Sequence, residues 1–114
     1  MPQRFQPRQE FFEWGSMEWR VDDSLAPGTG MSVAVMTLSA GQSTPLHRHP
    51  NCSEFLYVQE GTVDFHLDGQ RAPLGKGDSA LSPTGSVHGV SNPGPVAAKL
   101  VLSYSAGERI YERV

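Results

Sequence analysis

A chain of 114 residues has room for one domain with a single core, and at this size association with a second copy would cover surface the core leaves exposed. A net charge of −3 and an isoelectric point of about 5.7, with no basic stripe to follow a phosphate backbone, exclude nucleic acid as a partner, and no run approaches the roughly 20 apolar residues of a membrane span. Twelve glycines and nine prolines exclude long helices and a single cysteine, Cys52, excludes an internal disulfide, so an all-β protein of the cytoplasm is expected.

Residues 1 to 10 are polar and broken by Pro2 and Pro7, an arm whose only large anchor is Phe5. Phe11, Phe12, Trp14 and Trp19 follow, and the alternation through Met17, Trp19 and Val21 predicts one or two short strands between Phe11 and Val21. Four large rings near a terminus need apolar cover, and a neighbouring subunit is the expected source. Asp22 to Gly30 reads as a loop, and Met31 to Leu38 as a strand that is apolar or small on both faces. After Gly61, Val63, Phe65 and Leu67 alternate with Thr62, Asp64 and His66 before the tight hairpin turn Asp68-Gly69. Gly75 to Asp78 is a turn, Ala80 to Ser82 a short strand, and Pro83 to Gly85 a bend. Val96 to Ser105 then closes the sheet, with Ala98, Leu100, Leu102 and Tyr104 on one face and Lys99 on the other. The tail from Gly107 to Val114 is polar, with Ile110 and Tyr111 interspersed, and no pattern places it. Neither an internal repeat nor a second domain is indicated.

The chemistry is concentrated between Gly41 and Gly61. On an extended strand alternate side chains share a face, so His47 and His49 project together and Arg48 projects away. The chain turns at Pro50-Asn51 and enters a strand from Glu54 to Val58, whose first residue brings a carboxylate back toward the two imidazoles. Imidazole with carboxylate suits a divalent first-row transition metal.

Gly41, His47, His49, Glu54 and Gly61 occupy every fixed place of one spaced pattern, and Gly77, Pro83, Gly85, His88 and Asn92 every place of a second. In both patterns, and in their order, the chain resembles the cupin superfamily. The resemblance implies a small double-stranded β-helix barrel, commonly a homodimer, with one metal held by His47, His49, Glu54 and His88. It divides the chain into residues 1–30, an arm with aromatic strands that belongs to the same domain or to a dimer contact, the barrel at 31–106, and a tail at 107–114.

Three neutral imidazoles, one carboxylate and a dication leave a local charge of about +1, and an octahedral ion with four protein ligands keeps two positions for others. A small oxygen-chelating anion fits that vacancy. Iron, manganese, nickel and zinc all suit the ligands. Beyond them, Tyr104 is the candidate catalytic residue. Asp64 and Arg109 are weighed for supporting roles, but solvent is the expected place for both, and for His66. Met36, Leu56, Phe65, Val90 and Leu102 are expected to line the lumen. Cys52, on a turn between two ligands, is either a fortuitous small residue or an oxidation-sensitive one. Asn51-Cys52-Ser53 matches a glycosylation sequon that is inert without a secretory signal. Three functions follow: a metal-dependent dioxygenase, expected first; a non-redox lyase or isomerase using the metal as Lewis acid; and a module that only binds a small ligand.

Overall fold

Alternating apolar residues and frequent turn residues produce an all-β molecule. The computed structural model describes residues 2–114, and among them it has eleven strands and no helix. These are β1 (Arg8–Phe12), β2 (Gly15–Val21), β3 (Ser32–Leu38), β4 (His47–Arg48), β5 (Glu54–Glu60), β6 (Thr62–Leu67), β7 (Gln70–Gly75), β8 (Ser79–Ser82), β9 (His88–Ser91), β10 (Ala98–Tyr104) and β11 (Glu112–Arg113). One sheet runs β1-β2-β3-β10-β5-β8 and the other β11-β4-β9-β6-β7, and every pairing is antiparallel.

The period-2 pattern decides which side chains fill the space between the sheets. Met17 and Trp19 of β2, Ala34, Met36 and Leu38 of β3, Leu56 and Val58 of β5, and Leu100 and Leu102 of β10 all point inward from the larger sheet and are buried. Val63 and Phe65 of β6 and Val90 of β9 meet them from the smaller one. The Asp68-Gly69 turn takes positive φ at both residues, 47° and 83°, as a two-residue hairpin with right-handed strand twist requires. At Gly61 φ is 82°, and a Cβ there would lie 3.1 Å from Cα and Cβ of Ala98, so both conformation and space call for glycine.

Several expectations are corrected. The first strand begins at Arg8, inside the segment read as an arm, because residues 8–12 pair along their whole length with 15–19. Trp19 is covered by its own barrel rather than by a neighbour. Phe12 and Trp14 stack on each other at 4.5 Å and pack against the core, and only Phe11, 78% exposed, stands clear. β7 was not anticipated: it is an edge strand carrying Pro73, mostly exposed and without alternation. The tail also has a definite place, with β11 pairing to β4 so that Glu112 faces Arg48 and Arg113 faces His47.

Candidate metal centre

His47 and His88 face each other on adjacent strands of the smaller sheet. Glu54 opens β5 on the larger sheet, where its cross-strand partner is Tyr104. His49 lies just past β4. One ligand atom from each of His47, His49, Glu54 and His88 falls within 4.8 Å of all the others, and His49 and Glu54 are only 1% and 5% exposed. The spacing of the first pattern thus does what strand parity predicts, and the second pattern supplies His88.

Backbone carbonyls set the orientation of all three rings. Nδ1 of His47 donates to the carbonyl of Pro45 (2.7 Å), Nδ1 of His49 to that of Ile110 (2.8 Å) and Nδ1 of His88 to that of Ser86 (3.1 Å). A carbonyl only accepts, so Nδ1 carries the proton and, in the neutral ring, each Nε2 presents a bare lone pair. Nε2 of His49 and of His88 each lie 3.2 Å from the same Glu54 oxygen. Two lone pairs aimed at a carboxylate need a cation among them, either a proton or a metal. Nε2 of His49 is buried and has no hydrogen-bond partner. The donor set fits a divalent transition metal.

The titrations follow this layout. Burial pushes His47 down to about 4, so it is neutral at physiological pH. Burial would raise Glu54, but the His49 and His88 rings, each 3.2 Å from its carboxylate, prevail and hold it at about 2. Burial would lower His88, yet its bond to Glu54 and that carboxylate's charge raise it. Burial, with the nearby Glu54 charge, moves the Tyr104 phenol well above its usual value, so it keeps its proton.

His47, Glu54 and His88 sit in the wall of a cavity of about 460 Å³, with His49 buried behind it, and Met36, Leu56, Phe65, Val90 and Leu102 all line it, as expected. Tyr104 lines it too. His66 lies outside the cluster, bonded through Nε2 to Ser91 at 3.0 Å, and Asp64 lies beside Arg71 at 3.9 Å, away from the cavity. Arg109 is a correction: it borders the cavity and is half-buried, with Nε fully covered. Cys52 is buried, and desolvation raises its thiol, which disfavours the reactive reading.

Three contributors were not foreseen. Tyr111 stacks on His47 at 4.8 Å, the Ile110 carbonyl orients His49, and Asn51 pins the tail by donating to the carbonyl of Glu108 and accepting from the amide of Ile110, both at 2.8 Å. Asn51 lies inside the first pattern's variable gap, where the sequence marks it only as a turn residue and as part of a sequon. Asn92, a fixed place of the second pattern, is structural: it donates to the carbonyls of Leu38 and Val96.

Comparison with known proteins places this geometry. The sequence profile of the Cupin domain matches residues 34–104. Germin-like protein 8-14 of Oryza sativa subsp. japonica is 34% identical over 84 residues, covering 68% of this chain and 39% of its own length. Protein SchB of Streptomyces halstedii is 31% identical over 88 residues, covering 77% and 64%. The chain therefore spans less than two thirds of these relatives. Lactobacillus farciminis oxalate decarboxylase, solved as a formate complex, superposes with a TM-score of 0.85 at 18% identity, over 95% of this chain and 33% of that one. With a matched span that runs from within β3 to the end of β10, the chain belongs to the cupin domain family.

Proposed function

We propose that the chain is an enzyme using one divalent transition metal, among iron, manganese, nickel and zinc, held by His47, His49, Glu54 and His88. It acts on a small anionic molecule with two adjacent oxygens, as a dioxygenase. The observation that carries this reading is the convergence of three acceptor nitrogens and a carboxylate on one point, with His47, Glu54 and His88 opening onto a largely apolar cavity. When bound, the metal supplies Lewis acidity and, if redox-active, a meeting place for substrate and oxygen.

The chain's own residues do the remaining work. Carbonyls of Pro45, Ser86 and Ile110 fix the imidazoles in one tautomer. Glu54, ionised at every physiological pH, offsets part of the cation's charge. Met36, Leu56, Phe65, Val90 and Leu102 keep the reacting end dry and favour a partly hydrophobic acid or an aromatic compound. Tyr104 supports the lyase or isomerase alternative, because a buried phenol that retains its proton beside the site is placed to protonate an enolate. Phe11, exposed on the edge strand β1, supports a homodimer.

The test begins with elemental analysis of purified protein, followed by turnover of catechols and 2-oxo acids with and without oxygen. Oxygen uptake coupled to substrate loss supports the dioxygenase. Equal anaerobic turnover moves the assignment to lyase or isomerase. Tight chelator binding without turnover leaves a binding module.

A further inference from the structure

We propose that Arg109 is the anion anchor of the cavity, so that the molecule it accepts carries a carboxylate at the end opposite its metal-chelating oxygens. This inference rests on the functional reading above and names the substrate class more narrowly. Arg8, Arg20, Arg48 and Arg71 each lie within 4.0 Å of a carboxylate oxygen, from Asp22, Glu18, Glu112 and Asp64 respectively. Arg109 has no such partner among the described residues, although it is the better covered side chain: its Nε is buried without any acceptor, and Nη2 reaches only the sulfur of Met17, at 3.9 Å. A guanidinium whose Nε is cut off from water and left unpaired is incomplete, and a planar carboxylate is the group that satisfies it through two parallel bonds.

Its position is built rather than incidental. Asn51 grips the backbone on either side of it, at the Glu108 carbonyl and the Ile110 amide. The guanidinium carbon lies 4.7 Å from the centre of the Trp19 ring and 5.5 Å from that of Tyr104. The Tyr104 ring also packs edge-on to His49 of the metal centre, at 5.4 Å. One aromatic ring therefore touches both the cation and a residue of the metal centre, and Arg109 borders the same cavity as His47, Glu54 and His88. Glu10 also borders the cavity, but its carboxylate accepts from Trp19 Nε1 at 3.1 Å. Arg109 borders a second depression as well, with Asp22, Asp23 and Glu108, and pairing there is the arrangement that would defeat the proposal.

Two acids that share one chelating group and differ only at the far end decide the matter. Calorimetric titration of manganese-loaded protein with 2-oxoglutarate and with 2-oxopentanoate compares a carboxylate with a methyl group at the same position. The dicarboxylate is expected to bind on the order of tenfold more tightly or better. Arg109→Gln is expected to bring the ratio to about one while leaving 2-oxopentanoate affinity, metal content and melting temperature close to those of the parent. Arg109→Lys keeps the charge without the planar fork and is expected to retain part of the preference. Equal affinities in the parent protein, or a ratio unchanged in Arg109→Gln, overturn the anchor and leave the chelation reading intact. Binding of neither acid to metal-loaded protein overturns the chelation reading and the anchor with it.

Discussion

The ring of His49 is held by the carbonyl of Ile110, 61 residues further along the chain, through a 2.8 Å hydrogen bond. A residue of the candidate metal centre is thus oriented by a segment outside the matched span of the family, and the clamp on that segment is Asn51. Asn51→Ala should free the tail and weaken metal binding by roughly 10- to 100-fold, the usual effect of removing a group that orients a ligand. Chelator competition measures it, and unchanged affinity would show that His49 keeps its orientation without the tail.

Alanine at His47, His49, Glu54 or His88 should cost more than that, since a ligand itself is lost. His66→Ala should leave metal stoichiometry at the parental value, because His66 bonds Ser91 instead of joining the cluster. Elemental analysis of the five variants separates the two behaviours.

The metal-free protein should respond to acid in a way that identifies each group. His47, near 4 when folded against 6.5 when free, lets the unfolded chain take the extra proton between those values, so stability falls as pH drops from 6.5 to 4. Glu54, near 2 against 4.5, adds a further loss as pH drops from 4.5 toward 2. His88 acts in the opposite sense: its raised value gives stability below 6.5 that disappears as pH rises through the folded value. Melting temperatures between pH 8 and 3 should therefore flatten over 6.5 to 4 in His47→Ala, whereas His88→Ala should lose the gain that comes as pH falls toward 6.5 from above. The same slope in both variants would contradict these assignments.

Tyr104→Phe keeps the ring against Trp19 (5.8 Å) and His49 (5.4 Å) and removes only the hydroxyl. Metal content and melting temperature should stay near the parent values. If the phenol is a proton donor, turnover should fall by about 10²- to 10⁴-fold. Unaltered turnover would limit Tyr104 to packing.

Gly61→Ala should destabilise by roughly 1–3 kcal/mol, combining a left-handed backbone at φ 82° with a contact of 3.1 Å to Ala98. A loss of that size lowers the melting temperature by on the order of 5–10 °C, which scanning calorimetry resolves.

What the sequence made legible was whatever depends on local period or fixed spacing. Parity put Ala98, Leu100, Leu102 and Tyr104 inside, and the two spaced patterns brought His47, His49, Glu54 and His88 to one point. What stayed hidden depends on tertiary context. β7 is an exposed edge interrupted by Pro73, so burial gives it no signature. β11 is two residues long and exists only because β4 offers an unpaired edge. Arg109 looked like an ordinary solvated cation, since nothing nearby in the chain shows that Trp19 and Tyr104 form its floor. Trp19 was assigned to a neighbour for a similar reason: its partner ring, Tyr104, lies 85 residues downstream.

Glu54 belongs to one sheet, and His47 and His88 to the other. An ion shared among them is a rivet through both layers, and peeling the layers apart requires that it be released. Amide hydrogen exchange along β5, β4 and β9 should slow in concert on loading, making the proposed metal centre also the last fastening to give way when the molecule comes undone.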